Sequence, residues 1–544
     1  MSIDLLLTDA TFIAVVGAEP RPRWLAVDSD RIVAVGSADE DPPDARRVVR
    51  LDGATVVPGF HDAHNHTVHY GTGLANVDLS SGRVTELEQL YREIEAAAQR
   101  WPDREWIVGE AYDQNVLGAH PDPARLQTAA PNHHVRLIHK SRHMCVVSTS
   151  VIDALGLRDA ADPPGGALQR DSEGRFTGLL QESAMELLRS LTWPTSLTEM
   201  ETGIGAAHER YAAEGLTAVQ EAGIGAGLAG ASPAEALAYQ RVREAGRLLV
   251  RTTLMPVYAG ARELVDEPGA FGFGLGLRSG FGDDWLRIGP MKVFSDGSLI
   301  GRSAAVNEPY ADDPCNHGML TMGEGELEQT LRAAHRSGWQ LATHAIGDRA
   351  VDAVLDAYER VLADHPRADH RHRIEHAGIT SPQAVRRVAA LGLVPDPQGR
   401  FVTEIGDGMI RALGPERTDW CYRARSWVDA GIELPGSSDR PVVDGAPLLG
   451  IHDLVNRRTR DGVELAPGEA LTAEQALRAF TYGSAHATFL ERRTGSLQPG
   501  LLADLTVLSD DPTAVASGRI RDVEVLATVV GGAPTHDPHG LLEA

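Results

Sequence analysis

An α/β fold built on a closed (β/α)8 barrel is what this 544-residue sequence predicts, on three observations. Eight short apolar runs alternate with longer helix-like stretches, several of the 21 histidines sit at the ends of those runs, and both ends of the chain carry a strand-and-turn texture that the middle lacks. The length is well past the ~150 residues of an ordinary domain, but α/β barrels of about 250 residues stand as single units, so a large core with appendages is expected. The rival, a doubly wound sheet, needs a Gly-rich phosphate loop after an early strand, and none follows one here.

Taken in order, residues 1–58 read as alternating strand segments (DLLLTDATFIAV, RWLAVDSDRIVAVG, RRVVRLDGATVVPG) separated by turns, the first part of a β-sandwich. Residues 59–490 hold the barrel: GFHDAHNH, TAVQEAG, LLVRTTLMP, IGPMKVFSDGS, WQLATHAIGD, HRIEHAG, GLVPDPQGRF and IELPGSSDRPV are its eight strands, in the pattern of a TIM-like barrel. Residues 491–544 return to strand and turn and complete the composite sandwich. The first two barrel strands lie roughly 150 residues apart where one step takes about 30, so an insert is placed at about 67–190. Within it EWIVGEAYD and VRLIHKS read as strands, MCVVSTSVIDALGL as a helix, and GALQRDSEGRFTGLLQE as a hairpin turning at Glu173-Gly174. Such an insert folds over the barrel mouth. Ser196 with Glu199 predicts a capping box ahead of Met200, Ile204, Ala207 and Tyr211 on one helix face, and Thr472 with Gln475 repeats the device.

Composition excludes several functions. Apolar residues make up 42% and charged residues 23%, which argues for a folded chain over a disordered one. The formal net charge of −25 repels phosphate backbones and anionic bilayers, so neither nucleic acid nor a membrane surface is an expected partner. No apolar stretch reaches the ~20 residues that span a bilayer, and the first residues lack the basic start of a secretory signal. Cys145, Cys315 and Cys421 form no C-x-x-C pair, which suits a reduced, cytoplasmic compartment.

The chemistry gathers at strand ends. In His64-Asn65-His66 alternate side chains of an extended strand share a face, so both imidazoles can meet one ion. Lys292 in MKVFSDG, His344 in LATHAIGD, His376 in RIEHAG and Asp439 in GSSDRP each lie just past an apolar or small-residue run, at the barrel end where catalytic groups cluster. Nitrogen and oxygen donors converging on one mouth are what a catalytic zinc site requires. Lys292 stands apart because an ammonium has no lone pair. Either it salt-bridges Asp296 or Asp439, or burial beside cations neutralises it and the amine captures carbon dioxide as a carbamate.

Three residues are candidates for contact with substrate: His143 in the insert, Arg302 after GSLIG, and Glu221 at the end of the second barrel strand. Each has a plainer reading, as a structural histidine, an internal ion pair, and a group supporting the site from behind. Asp348 reads first as the opening of a helix. The pairs His133-His134 and His370-x-His372 fall in a turn and at a strand start, and read as surface or packing residues; Asp504 reads as a structural turn residue, and Cys315 lacks a base. Trp101, Trp106 and Trp193, in or beside the insert, hint at apolar groups held near the mouth, with core packing as the alternative.

The ordered run GFHDAHNH, KVFSDGSL, THAIGD, RIEHAG, GSSDRPV and GSLQPGLLADLTVL resembles the metal-dependent amidohydrolase superfamily. The insert ending in LLQE and the GSLIGRSA segment are similar to its YtcJ-like branch, which includes N-substituted formamide deformylases. The resemblance implies an elliptical barrel with one or two divalent ions, usually Zn2+. His64 and His66 would hold the more buried ion, His344 and His376 the other, a carboxylated Lys292 would bridge them, and Asp439 would ligate and act as acid/base. Asn65 departs from the small Ser or Thr common at that position. The expected substrate is a small-molecule linear amide, an N-acyl or N-formyl amine. A cyclic amide, a deaminated ring or an ester is the alternative, and a catalytically silent binding protein is a third reading. A homodimer fits the fold, although no interface is marked in the sequence.

Overall fold

The computed structural model describes residues 3–16, 22–227, 229–264 and 267–542. Its centre is mixed α/β. One parallel sheet contains β1 (Phe60–Asn65), β2 (Leu216–Ile224) and β3 (Arg251–Pro256), with Leu286–Ile288 beside β3. A second contains β4 (Met291–Phe294), β5 (Leu341–Ala345), β6 (Arg373–His376) and β7 (Val394–Asp396), again parallel and in chain order. The sheets meet where Val257, just past β3, bridges Lys292 of β4 in parallel.

These strands are apolar because helices and loops leave neither face to water: every residue of β2 is buried, and Val219, Met291, Leu341 and Ile374 share one core. Helix Leu197–Ala213 begins where the Ser196 side chain accepts from the Glu199 N–H at 3.2 Å, and it buries Met200, Ile204, Ala207 and Tyr211. At Thr472 both bonds of the capping box form.

The eighth run, IELPGSSDRPV, was expected as a strand and is not a regular one. It lies extended along β1, with Ala63 N–H donating to Gly436 O (3.0 Å), Asp439 N–H to His64 O (2.7 Å) and His66 N–H to Arg440 O (2.8 Å). Pro435 has no N–H to offer a ladder, and Gly436 is pressed so closely to the Phe480 ring that a Cβ would stand 2.5 Å from it.

Both ends of the chain enter one sheet. Thr55–Pro58 pairs antiparallel with Leu505–Leu508, which continues to Val525–Val530 and Ala533–His536. A facing sheet holds Ile3–Thr8, Trp24–Asp28, Arg31–Gly36 and Ala45–Arg50, and Phe12, Leu25, Val56 and Leu505 belong to the core they share. Asp504 ties this unit to the base of β3 through a buried two-point pair with Arg251, at 2.8 and 2.9 Å.

Between β1 and β2 a six-stranded sheet forms, with Trp106–Tyr112, His134–His139, Met144–Val147 and Phe176–Glu182 among its strands. The stretch MCVVSTSVIDALGL, read as one helix, splits instead: Met144–Val147 pairs antiparallel with residues 136–138, and only Thr149–Leu155 is helical. The β-branched valines favour the ladder, and Ser148 lies extended between the two. The hairpin over Gly166–Arg170 and Phe176–Glu182 turns through Gly174 at φ +79°, a conformation glycine adopts freely. The three cysteines are free thiols, and among the described residues no helix is long and apolar enough to cross a membrane.

Candidate metal centre

The ends of β1, β4, β5 and β6 and the 433–440 segment converge. His64 and His66 turn to the same side, their ring centroids 5.5 Å apart, and Nε2 of each meets Asp439 Oδ1, at 3.5 and 3.2 Å. The His376 ring lies 4.9 Å from that of His64 and 4.6 Å from that of His344. His376 and Asp439 have φ of +70° and +59°, left-handed conformations that cost about 1–3 kcal/mol each for residues with side chains and persist where packing enforces them.

The outer nitrogens explain which inner ones are offered. His64 Nδ1 is hydrogen bonded to the Glu375 carboxylate, leaving Nε2 to the cluster. His376 Nδ1 is held by Gln398 Oε1 at 2.7 Å, which again leaves Nε2. His344 is engaged the other way, Nε2 against Gly297 O at 3.1 Å, so Nδ1 is its open nitrogen. Such outer contacts set tautomer and ring direction in metal-binding histidines. Burial lowers the pKa of all four imidazoles, keeping them in the neutral form that can ligate. For Asp439 burial works against ionisation, but the His66 hydrogen bond and the neighbouring His64 and Lys292 side chains hold the carboxyl below its usual range.

Lys292 is 1% exposed, and burial brings its pKa down to about 8. Its Nζ sits 3.4 Å from His64 Nε2 and 5.1 Å from the centre of the Phe294 ring. Neither salt bridge considered from sequence forms. Asp296 is engaged by the N–H groups of Ala305 (3.0 Å), Ile346 (3.0 Å) and Gly347 (2.8 Å), pinning the loops after β4 and β5.

Among the described residues, two groups of ligand atoms lie within 4.8 Å of one another: His64, His66 and Asp439, and behind them His64, Glu375 and Asp396. The second is already filled by a cation, since Arg373 donates to Glu375 at 2.7 Å and to Asp396 at 2.6 Å, and burial nonetheless raises Asp396 to about 7. It is a support for the first. Neutral imidazoles, one ionised carboxylate and a readily neutralised lysine form a donor set that suits a divalent transition ion. We expect Glu375→Gln to weaken metal binding by about 10–100-fold, the usual effect of losing an outer partner, as read by chelator competition. An unchanged affinity would deny Glu375 its orienting role.

A cavity of about 60 Å³ is lined by His64, His66, Lys292, His344, His376 and Asp439, and by His143 from the insert. His143 has its ring 5.0 Å from that of His344 and its Nδ1 2.8 Å from Glu182 Oε2. The other two substrate candidates are placed elsewhere. Glu221 accepts from Val68 N–H at 3.1 Å and from the Tyr239 hydroxyl, and burial raises it to about 8; it faces the helices outside β2 and holds the start of helix Thr67–Gly73. Arg302 spends its donors on Asp312 (2.9 Å from Nε) and Ile300 O (2.7 Å), the internal ion pair that was its plainer reading.

None of Trp101, Trp106 and Trp193 lines this cavity or the larger one beside it; Trp101 lies under Arg104 and Trp193 under Arg189, each at 4.1 Å. His133 and His370 bond to Trp101 O and Leu391 O, and His372 bonds to His335, all away from the cluster. Asp348 opens helix Asp348–Asp364, and Cys315 is exposed. Sequence reasoning missed Glu375, Asp396, Gln398 and Glu182, whose roles depend on partners far along the chain, and the cavity residues His69, Arg136 and Arg142.

Imidazoles, a carboxylate and a buried lysine gathered at the strand ends of a parallel α/β core are the mark of a metal-dependent hydrolase. Comparison with known proteins narrows this. Residues 47–536 match the amidohydrolase family, and the chain belongs to it. It is 31% identical over 563 residues to N-substituted formamide deformylase of Arthrobacter pascens, covering 99% of each chain. It is 30% identical over 492 residues to YtcJ of Bacillus subtilis (strain 168), covering 89% of each. Among solved structures it is similar to an uncharacterized metal-dependent hydrolase from Pyrococcus horikoshii OT3, with a TM-score of 0.73, 25% identity and coverage of 94% of this chain and 99% of that one. The protein is an enzyme of the amidohydrolase class, hydrolysing carbon–nitrogen bonds.

Proposed function

We propose that the enzyme hydrolyses a linear, non-peptide amide, an N-acyl or N-formyl amine, at a centre of one or two zinc ions. His64 and His66 would hold one ion and His344 and His376 the other, with Asp439 as a further ligand and Lys292, as its carbamate, supplying two bridging oxygens. Bound ions supply a Lewis acid for the carbonyl and lower the pKa of water from 15.7 to roughly 7. Asp439 takes the proton of the attacking water on a carboxylate oxygen and delivers it to the departing nitrogen, without which an amine is too poor a leaving group. His143, braced by Glu182, orients the substrate oxygen, and the insert keeps bulk water out.

The observation that carries this reading is Lys292: a buried amine with no carboxylate within 4.0 Å among the described residues, set against His64 Nε2. A lysine kept only for an ion pair would have its partner. The reading includes a ring closed between β7 and the 433–440 segment, a β-sandwich of residues 1–58 and 491–544, and the 67–190 insert over the mouth. It also includes a cytoplasmic setting, which the free thiols support. The similarity to a formamide deformylase favours the linear amide. Metal analysis of the purified protein, followed by a panel of N-formyl and N-acyl amines, cyclic amides, esters and aminated rings, tests it. Release of formate or amine from the linear compounds is expected; bound metal with turnover of rings or esters alone would overturn the assignment.

A further inference from the structure

The cavity around the cluster has an unusual charge balance. Arg136 and Arg142 line it, against a single carboxylate, Asp439. It adjoins a cavity of about 580 Å³ that shares His69, Arg142 and Val442 with it and is lined by five cationic side chains and four carboxylates. The whole chain carries 51 basic and 76 acidic residues, so the local balance reverses the global one.

Two arginines of the insert are incompletely used. Arg136, on the strand His134–His139, reaches the Cys145 thiol but pairs with no carboxylate among the described residues, and its Nε is buried without an acceptor. Among the described residues the Arg142 side chain makes one hydrogen bond, from Nη1 to Glu110 Oε2 at 2.8 Å, leaving four of its five guanidinium N–H donors open. Its backbone has φ +61°, at the turn joining His134–His139 to Met144–Val147, where Arg142 N–H donates to His139 O. A buried guanidinium donor without an acceptor is destabilising, and cations beside a site for divalent ions repel them. One anionic ligand removes both costs. The planar guanidinium fork matches the two oxygens of a carboxylate.

We propose that Arg136 and Arg142 form a carboxylate-binding subsite, and that the substrates are N-acylated or N-formylated amino acids. Arg136 and Arg142 line the same small cavity as the cluster, so the carboxylate would stand close to the amide, as in an amino acid, with the amino-acid side chain extending into the larger cavity that shares Arg142. This rests on the linear-amide reading above and adds the charge of the substrate to it. Hydrolysis then consumes the N-acyl amino acid and one water and yields a free amino acid and the acyl carboxylate.

The test compares N-formylphenylalanine with N-formylphenethylamine, identical except for the carboxylate, on the metal-loaded enzyme. Wild type should prefer the carboxylate compound by at least 100-fold in kcat/KM, and Arg136→Met should reduce that preference at least 30-fold, with Arg136→Lys recovering part of it. A wild-type enzyme indifferent to the carboxylate, or one favouring the amine, would overturn the subsite. Calorimetry with N-methylphenylalanine, which has no amide to cleave, separates the two readings. If neither formyl compound is hydrolysed but N-methylphenylalanine binds wild type and not Arg136→Met, the subsite stands and the amide reading falls. Binding undiminished in both Arg136→Met and Arg142→Met would place the carboxylate elsewhere and refute the subsite.

Discussion

Asp439→Asn should retain bound metal and lose turnover by between about 10² and 10⁴-fold, the range supplied by a positioned proton-transfer group. An amide oxygen can still face His64 and His66, where Asp439 Oδ1 now lies 3.5 and 3.2 Å from their Nε2 atoms, so the cluster keeps its shape. What the amide cannot do is accept a proton from water and release it to nitrogen. Metal content by atomic emission beside kcat on the best substrate separates the two effects. A variant turning over at the wild-type rate would remove Asp439 from proton transfer.

Lys292→Ala should lose at least one ion per chain and with it nearly all activity. Short carboxylic acids such as propionate should partly restore both, because they fit the vacated space and carry the two oxygens that alanine lacks. Metal-to-protein ratio and rescue by added acid are the measurements. If the alanine variant held two ions unaided, no bridging carbamate would be needed, and the burial of an amine against His64 Nε2 would require another cause.

How far the sequence disclosed the site follows from what each residue depends on. His64, His344 and His376 were visible because strand ends are short apolar runs followed by a polar residue, a pattern legible within ten positions. Their partners were not. Strand alternation would set His376 opposite Glu375, yet both meet His64, and His376 has a left-handed backbone that departs from regular strand geometry. Gln398 gives no local signal, since its role exists only through His376 on the neighbouring strand. Glu221 stands away from the cavity, holding the start of helix Thr67–Gly73 from behind as its plainer reading had it, because its place near a strand end does not decide which way a side chain faces. Met144–Val147 misled because four apolar residues fit strand and helix equally until the pairing with residues 136–138 is known.

The sheet that joins Thr55–Pro58 to Leu505–Leu508 also bears on how the molecule is made. During translation the earlier strand leaves the ribosome about 450 residues before its neighbour exists, and for that interval its edge is an open template for foreign strands. Closing that sheet therefore waits on a stitching event between segments made about 450 residues apart, and a nascent chain stalled short of Leu505 would retain that unsealed margin however well its centre had folded.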